Sequence, residues 1–133
     1  MSSPTLQMID SARAAPQPAH AELAAVIDAL RESEQACNAC AMAMVEVGGM
    51  VTEVRRALDC ADLCHATERV LSRGPAADVQ LEAALVQACI LACQATAEAC
   101  GQHADHHEHC RLHSQSAARC ADALRTLAGS LAG

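Results

Sequence analysis

The sequence contains no phenylalanine, tyrosine or tryptophan, so no part of a folded core can be packed with aromatic rings of these types. It also lacks lysine, and its nine positive charges are all arginines set against sixteen acidic residues, for a net charge of −7. Nucleic-acid binding relies on clustered positive charge, which this chain lacks. The longest stretches without charge are shorter than the roughly 20 residues of a membrane span. We therefore expect no nucleic-acid or membrane partner.

Proline and glycine are also scarce, with four and six residues. The apolar share of 52% is made mainly of Ala, Leu, Val and Cys, and few residues favour strands. A chain of 133 residues fits one domain and is long enough to bury a core without disulfide bonds. The composition predicts an all-α protein.

The few helix breakers divide the chain into one short and four long helices. Ser3 is a good N-cap and Pro4 suits the first helical position. Asp105 and Glu108 have the spacing of a capping box at the start of the last helix. The predicted helices cover residues 4–13, 19–47, 50–72, 77–100 and 105–129. We expect residues 1–18 to form a short helix and linker, and residues 19–133 to form an antiparallel up-down-up-down four-helix bundle.

Nine cysteines stand where an ordinary core has aromatic rings. Residues three or four apart share one face of a helix, so a pair at this spacing can direct two soft donors to one point. Four such pairs recur: Cys37 with Cys40, Cys60 with Cys64, Cys89 with Cys93, and Cys110 with His113. The odd number of cysteines and their spacing within helices argue against a disulfide framework. Residues 1–18 do not have the pattern of a secretory signal, and we expect a reducing, cytoplasmic compartment.

Antiparallel order predicts three layers along the bundle. One end is aliphatic, with Leu23, Val26, Leu30, Leu71, Leu85, Leu124 and Leu127. The middle holds the thiols of Cys37, Cys60, Cys64, Cys89, Cys93 and Cys120. The other end, which we call the mouth, collects Cys40, Met44, Met50, Cys100, His103, Cys110 and His113, beside His106, His107 and His109. His20 and His65 are isolated, and we expect both at the surface.

The donor types favour Cu(I). Thiolates and thioethers bind Cu(I), and thiolates also bind Zn(II). Two or three sulfur ligands satisfy Cu(I), whereas Zn(II) prefers four in a tetrahedron and iron–sulfur clusters usually take four cysteines on looped segments. Two alternatives remain open: inert core cysteines in a structural bundle, and a mixed Cys/His site for Zn(II) or Cu(II). The sequence shows no nucleophile–base arrangement or phosphate-binding loop, so it does not predict an enzyme.

Three segments resemble the copper storage proteins, which are cysteine-rich four-helix bundles that hold Cu(I). These segments are Cys37–Cys40, Leu58–Arg73 and Cys100–Cys110, and the resemblance extends over residues 19–128. It implies a cytosolic Cu(I) store that assembles as a homotetramer. It also implies that Cu(I) enters at the mouth, past His103, His109, His113 and Met44.

The resemblance also implies a cysteine-depleted member of the family. Cysteine would be expected at five positions that hold other residues here: Met44, Thr96, His113, Ala117 and Leu124. The candidate metal ligands are Cys37, Cys40, Cys60, Cys64, Cys89, Cys93, Cys100, Cys110 and Cys120, with His103, His109, His113 and Met44 as ligands for uptake or at the ends of the metal sites.

Overall fold

The computed structural model describes residues 3–12, 18–74 and 76–132, and these residues form five helices and no strand. The helices are α1 (Pro4–Ala12), α2 (Pro18–Val47), α3 (Val51–Ser72), α4 (Val79–Gly101) and α5 (Glu108–Ala132). The all-α prediction is confirmed. Most of the predicted linker over residues 15–18 lies outside the described residues.

The four long helices form the predicted antiparallel bundle. α2 packs against α3 and α5, and α4 completes the bundle by packing against the same two helices. Near the start of α2, Glu22 accepts a hydrogen bond from Ser130 near the end of α5, at 3.0 Å. Near the end of α2, Cys40 Sγ lies 3.3 Å from Nδ1 of His109 at the start of α5. The two helices therefore run in opposite directions, as an up-down-up-down bundle requires.

The start of α4 is set by a side-chain cap. The sequence predicted a helix from residue 77, but α4 begins at Val79 because Asp78 acts as its N-cap. The Asp78 carboxylate accepts a hydrogen bond from the backbone N–H of Leu81 at 3.0 Å. Such a bond satisfies one of the N–H groups that have no partner within the first turn.

The predicted start of α5 is wrong by three residues. α5 begins at Glu108, and the residues from Gln102 to His106 form turns. The carbonyl of His107 accepts the backbone N–H groups of Cys110 and Arg111 at 3.1 and 3.2 Å. Since Glu108 is itself the first helical residue, the predicted capping box with Asp105 does not form. The turns place several histidines at the mouth.

α1 packs against α2 and covers one histidine. Ile9 is buried, and Thr5 donates a hydrogen bond to Asp28 of α2 at 2.6 Å. His20 Nδ1 lies 2.8 Å from a carboxylate oxygen of Asp10, and His20 is only 4% exposed. The prediction that His20 lies at the surface is therefore wrong, because the N-terminal helix shields it. His65 is exposed as predicted.

The aliphatic end of the bundle is an ordinary apolar core. All the leucines and the valine predicted for it are buried except Leu85, which is half-buried. This end carries no cysteine, so the thiols are confined to the middle of the bundle and to the mouth.

α4 is long and apolar enough to cross a membrane by length and composition alone. Core helices of water-soluble proteins meet the same criterion. α4 directs Val86, Cys89, Ile90 and Cys93 into the bundle, where all four are buried. Its apolar character is thus accounted for in part by packing against the other helices.

Candidate metal centre

All nine cysteines point into the bundle, and none is more than 2% exposed. No disulfide joins them. Each long helix supplies at least two: Cys37 and Cys40 from α2, Cys60 and Cys64 from α3, Cys89, Cys93 and Cys100 from α4, and Cys110 and Cys120 from α5. The thiols therefore form the lining of the interior rather than one face of one helix.

Three thiols in the middle of the bundle form what we call the inner thiol group, namely Cys60, Cys64 and Cys93. Their sulfur atoms all lie within 4.8 Å of one another. The separations are 3.8 Å for Cys60–Cys64, 3.6 Å for Cys60–Cys93 and 3.9 Å for Cys64–Cys93. Two sulfurs bound at about 2.3 Å, the zinc–thiolate length, to one three-coordinate ion lie about 4.0 Å apart. The inner thiol group is thus spaced to share a metal ion.

The other three cysteines of the middle layer adjoin the inner thiol group. Cys89 Sγ lies 3.8 Å from Cys64 Sγ. Cys60 is the largest cause of the raised pKa of Cys37, and Cys64 is the largest cause of the raised pKa of Cys120. The six thiols that the sequence assigned to the middle layer are therefore in one connected network.

A second set lies towards the mouth, and we call Cys40, Cys100 and Cys110 the outer thiol group. Their sulfurs also lie within 4.8 Å of one another. Cys40 donates to Cys110 at 4.0 Å, and Cys100 donates to the sulfur of Met44 at 3.9 Å. Met44 is fully buried, so its thioether adds a fourth soft donor on the edge of this group.

His109 completes the outer thiol group with a nitrogen donor. Its Nδ1 atom lies 3.3 Å from the sulfur of Cys40 and 3.5 Å from that of Cys110. The ring of His107 stacks on that of His109, with centroids 5.3 Å apart. Three sulfurs and one imidazole nitrogen therefore converge where the interior meets the solvent.

His103 has a different partner. Its Nε2 atom lies 2.7 Å from a carboxylate oxygen of Glu53 on α3. The structure thus brings His103 to the mouth, as predicted, but pairs it with a carboxylate rather than a thiol. Sequence reasoning did not single out Glu53, although Glu53 has the same heptad spacing as Cys60.

His113 lies deeper than predicted. It is 1% exposed, and its Nε2 atom lies 3.1 Å from the sulfur of Cys37. Two predicted pairs are consequently divided: Cys37 and His113 meet each other, while Cys40 and Cys110 belong to the outer thiol group. Helical spacing correctly predicted that the two residues of each pair lie on the same helix face. The packing of the neighbouring helix decides which of these donors come into contact across the bundle.

Most of the thiols are held in the neutral form. The pKa of six thiols is raised above the ordinary value of 9.0. For Cys110 the largest cause of the raised pKa is burial. For the other five the largest cause is a hydrogen bond with a neighbouring sulfur, to which burial adds; these five are Cys37, Cys40, Cys89, Cys93 and Cys120. In contrast, hydrogen bonds, chiefly from Cys40, lower the pKa of Cys100 to about 5. Hydrogen bonds from Cys37 and Cys120 likewise lower the pKa of Cys60 and Cys64. The six thiols with a raised pKa keep their protons at neutral pH, so a metal ion that binds them must displace these protons.

Buried hydroxyls accompany the thiols, and sequence reasoning gave them no role. Ser33, Thr67 and Thr96 are wholly buried. Ser33 accepts a weak hydrogen bond from Cys64 at 3.6 Å, and Thr67 donates to the carbonyl of Leu63 at 2.7 Å. In the sequence these three residues follow the same three-and-four spacing as the cysteines, and this spacing indicates that they lie on the inner face of their helices.

The five positions where the resemblance implied further cysteines all lie in the core, with an exposure of 0–1%. The description of the chain as cysteine-depleted is nevertheless wrong. Nine thiols in 133 residues, all buried, make this a cysteine-rich bundle.

The fold and this interior define an antiparallel helical bundle whose core carries two adjacent groups of sulfur donors. Residues 19–129 match the family model of the copper storage proteins. The chain therefore belongs to the copper storage protein family. No curated protein sequence matches it.

Two solved structures from Streptomyces lividans are similar over most of the chain. The copper storage protein Ccsp loaded with 10 copper equivalents is 33% identical, with a TM-score of 0.82 over 92% of this chain and 98% of that one. A structure of copper loading to a cytosolic copper storage protein, with five coppers, is 37% identical, with a TM-score of 0.76 over 84% of this chain and 93% of that one.

Proposed function

We propose that this protein sequesters Cu(I) in the cytoplasm, through thiolates that line its interior and without catalytic turnover. The observation that carries the proposal is the pair of buried thiol groups, each with three sulfurs within 4.8 Å of one another. Membership of the copper storage family and the copper-loaded Ccsp from Streptomyces lividans support it. The relative described as cytosolic supports the compartment.

The ligands in this proposal are the nine cysteines, assisted by three histidines and one methionine. The inner thiol group and its three neighbours hold the interior ions, and the outer thiol group holds those nearest the mouth. His103, His109, His113 and Met44 act as uptake or terminal ligands. Assembly as a homotetramer and the division of the chain at residue 18 stay predictions.

The connected network of six thiols favours Cu(I) over Zn(II). Burying a lone thiolate is costly, and several adjacent thiolates repel one another. Cations with low coordination numbers that are shared between sulfurs offset this charge throughout the network. A single tetrahedral Zn(II) ion would use four of the six sulfurs and leave two without a partner ion.

A second candidate, Zn(II), is favoured at the outer thiol group alone. Cys40, Cys100, Cys110 and the Nδ1 atom of His109 form a donor set of three sulfurs and one nitrogen. That set is one of the usual ligand combinations of structural zinc sites. In this alternative each chain binds one Zn(II) ion, and it binds that ion only at the outer thiol group.

The first test is an anaerobic titration of reduced protein with Cu(I) in competition with a high-affinity chromogenic chelator, and with Zn(II) in parallel. We expect several equivalents of Cu(I) to be withheld from the chelator. Retention of no Cu(I), together with one equivalent of Zn(II), would contradict storage and support the zinc site.

Matched double variants locate the bound ions. Cys60→Ser with Cys64→Ser should lower the Cu(I) capacity by removing the centre of the inner thiol group, while leaving the ligands of the outer thiol group in place. Cys40→Ser with Cys110→Ser should do the reverse. Unchanged capacity in both folded variants, as judged by circular dichroism, would show that the interior thiols do not hold the metal.

A further inference from the structure

A cavity of about 500 Å³ lies at the aliphatic end of the bundle, and we call it the end cavity. It is found where α2 and α4 begin and where α3 and α5 end. Its apolar walls include Leu23, Leu71, Val79 and Leu127. Small-molecule sites usually enclose about 300–1,000 Å³, with mainly apolar walls and a few polar groups. The end cavity therefore has the size and the walls of a small-molecule site, and none of the candidate metal ligands lines it.

Glu82 brings a carboxylate to the end cavity. It lies near the start of α4, lines the cavity and is only 9% exposed. Its side chain has no hydrogen bond or ion pair with any residue that the structure describes. A buried carboxylate without a partner destabilises the folded state unless another group offsets its charge. A cationic ligand in the end cavity would supply that group.

The Glu82 carboxylate is within reach of such a ligand. Among the described residues, the side-chain polar atoms that are both fully enclosed and without a partner are the Thr96 hydroxyl oxygen and Nδ1 of His113. The oxygens of Glu82 also lack a partner, so they must retain some access to solvent. The end cavity, which Glu82 lines, supplies this access.

A second carboxylate, that of Glu22, lines the same cavity. One of its oxygens accepts a hydrogen bond from the Ser130 hydroxyl at 3.0 Å, which leaves its other oxygen available. Within the described ranges, no arginine or histidine lines the end cavity. The polar part of this apolar cavity is thus acidic, and it lacks a positive charge of its own.

We propose that the end cavity binds a small aliphatic amine in its ammonium form. The ammonium group donates hydrogen bonds to the Glu82 carboxylate, and Glu22 adds a second negative charge nearby. The alkyl chain packs against Leu23, Leu71 and Leu127. This site is separate from the thiol groups, and the proposal does not depend on the copper storage function.

An organic cation fits the end cavity better than a metal ion does. Calcium and magnesium ions take about six to eight oxygen ligands, whereas two carboxylates and one hydroxyl are set here among apolar side chains. Cu(I) favours sulfur donors, which the cavity does not offer. A neutral ligand would fill the apolar space but leave the Glu82 charge without a partner. An alkylammonium ion satisfies the carboxylate and the apolar walls together.

The first measurement follows the backbone amides of metal-free, reduced wild-type protein by NMR at neutral pH. n-Pentylammonium chloride is added to one sample and n-pentanol, a neutral molecule of similar shape, to another at the same ionic strength. We expect the amine to shift the amides of Leu23, Val79 and Leu127 in a saturable way. Pentanol should bind at least about tenfold more weakly, because it cannot form the charge-assisted hydrogen bond to Glu82.

A matched pair of variants tests the role of the carboxylate. Glu82→Gln keeps the shape of the side chain and removes its charge, so the affinity for pentylamine should fall at least about tenfold. Glu98→Gln is the control, because Glu98 is an exposed residue of the same helix that does not line the end cavity. Both variants change the net charge equally, so general attraction of the amine cannot account for a difference between them.

Each outcome decides the proposal. It is overturned if pentylamine produces no saturable shifts, or shifts only amides at the mouth. Equal affinities of the wild type for the amine and the alcohol would also overturn it, as would an undiminished affinity in folded Glu82→Gln. If Glu82→Gln does not fold, the comparison of the amine with the alcohol in wild-type protein gives the answer. Because no copper is added, the result is independent of the test of storage.

Discussion

At the scale of single residues, the same pair of groups has different roles in different surroundings. His20 and His65 each lie beside a carboxylate, at 2.8 Å from Asp10 and 3.2 Å from Glu34. The side chain of His20 is 5% exposed and that of His65 is 54% exposed. Water screens the His65 pair, whereas the buried His20 ring depends on Asp10 for its hydrogen bond.

We predict that His20→Ala weakens the attachment of α1. The substitution removes the hydrogen bond to Asp10 and a buried ring, and we expect a loss of about 1–3 kcal/mol in the free energy of unfolding. Hydrogen exchange of the α1 amides should also become faster. His65→Ala is the control, with an expected change of at most about 1 kcal/mol. Equal losses in the two variants, measured by denaturant unfolding, would contradict this account.

At the scale of the helices, the connection between α2 and α3 depends on two glycines. Gly48 and Gly49 have φ angles of +85° and +74°. A side chain at either position would meet no atom within 4 Å, so only the backbone conformation requires glycine. The turn reverses the chain between Met44 and Met50, which are both buried at the mouth.

We predict that Gly48→Ala lowers the free energy of unfolding by about 1–2 kcal/mol, because an L-residue is strained at this φ angle. Gly129→Ala is the matched control. Gly129 is helical, and a side chain there would also meet no atom within 4 Å. Alanine is favoured over glycine in a helix by up to about 1 kcal/mol, so the control should be neutral or stabilising. Thermal unfolding of both variants gives the comparison, and a stabilising Gly48→Ala would disprove the argument.

The helix ends show what local sequence signals can and cannot decide. Asp78 is a strong N-cap and sets the start of α4, although the sequence reading placed the start one residue before it. Asp105 is equally suitable as a cap, but the chain forms turns there, and α5 begins only at Glu108, with the carbonyl of His107 accepting the N–H groups of Cys110 and Arg111. Both residues satisfy the local rule, so the local rule alone does not decide which of them caps a helix.

At the scale of the whole molecule, buried thiols link stability to pH. The pKa of six thiols is raised in the folded state, and that of Cys89 reaches about 12, chiefly through its hydrogen bond with Cys64. In the unfolded chain the thiols have the ordinary value of 9.0. Above pH 9 the unfolded state therefore binds fewer protons than the folded state, and stability falls as pH rises.

We predict that the metal-free, reduced protein loses stability between pH 9 and pH 12. Each thiol that stays protonated only in the folded state contributes a loss of up to about 1.4 kcal/mol per pH unit. Cys89→Ala should reduce the slope by removing one such thiol. In the Cu(I)-loaded protein the ligating thiols have already lost their protons, so the decline should largely disappear. Urea unfolding at a series of pH values measures the slope, and a rise in stability above pH 9 would refute the assignment.

Much of the architecture followed from the sequence because its signals are local and repeated. The absence of aromatic and strand-favouring residues, the scarcity of breakers and the three-and-four spacing of apolar and sulfur residues predicted five helices and an antiparallel bundle. The same spacing predicted which cysteines face inward, and all nine do. Helical periodicity alone determines these features, because it fixes the face of each residue.

The identity of each donor's neighbours was decided by tertiary packing. Cys37 and Cys40 share a helix face, yet one meets His113 and the other joins Cys100 and Cys110. His20 is buried only because α1 covers it. The sequence determined the helices, their inner faces and the segregation of the thiols from the aliphatic end. The axial offset between helices decided which sulfurs and imidazoles come within bonding distance of a shared ion, since an offset of one turn, about 5.4 Å, exceeds the separation of two ligands on one metal.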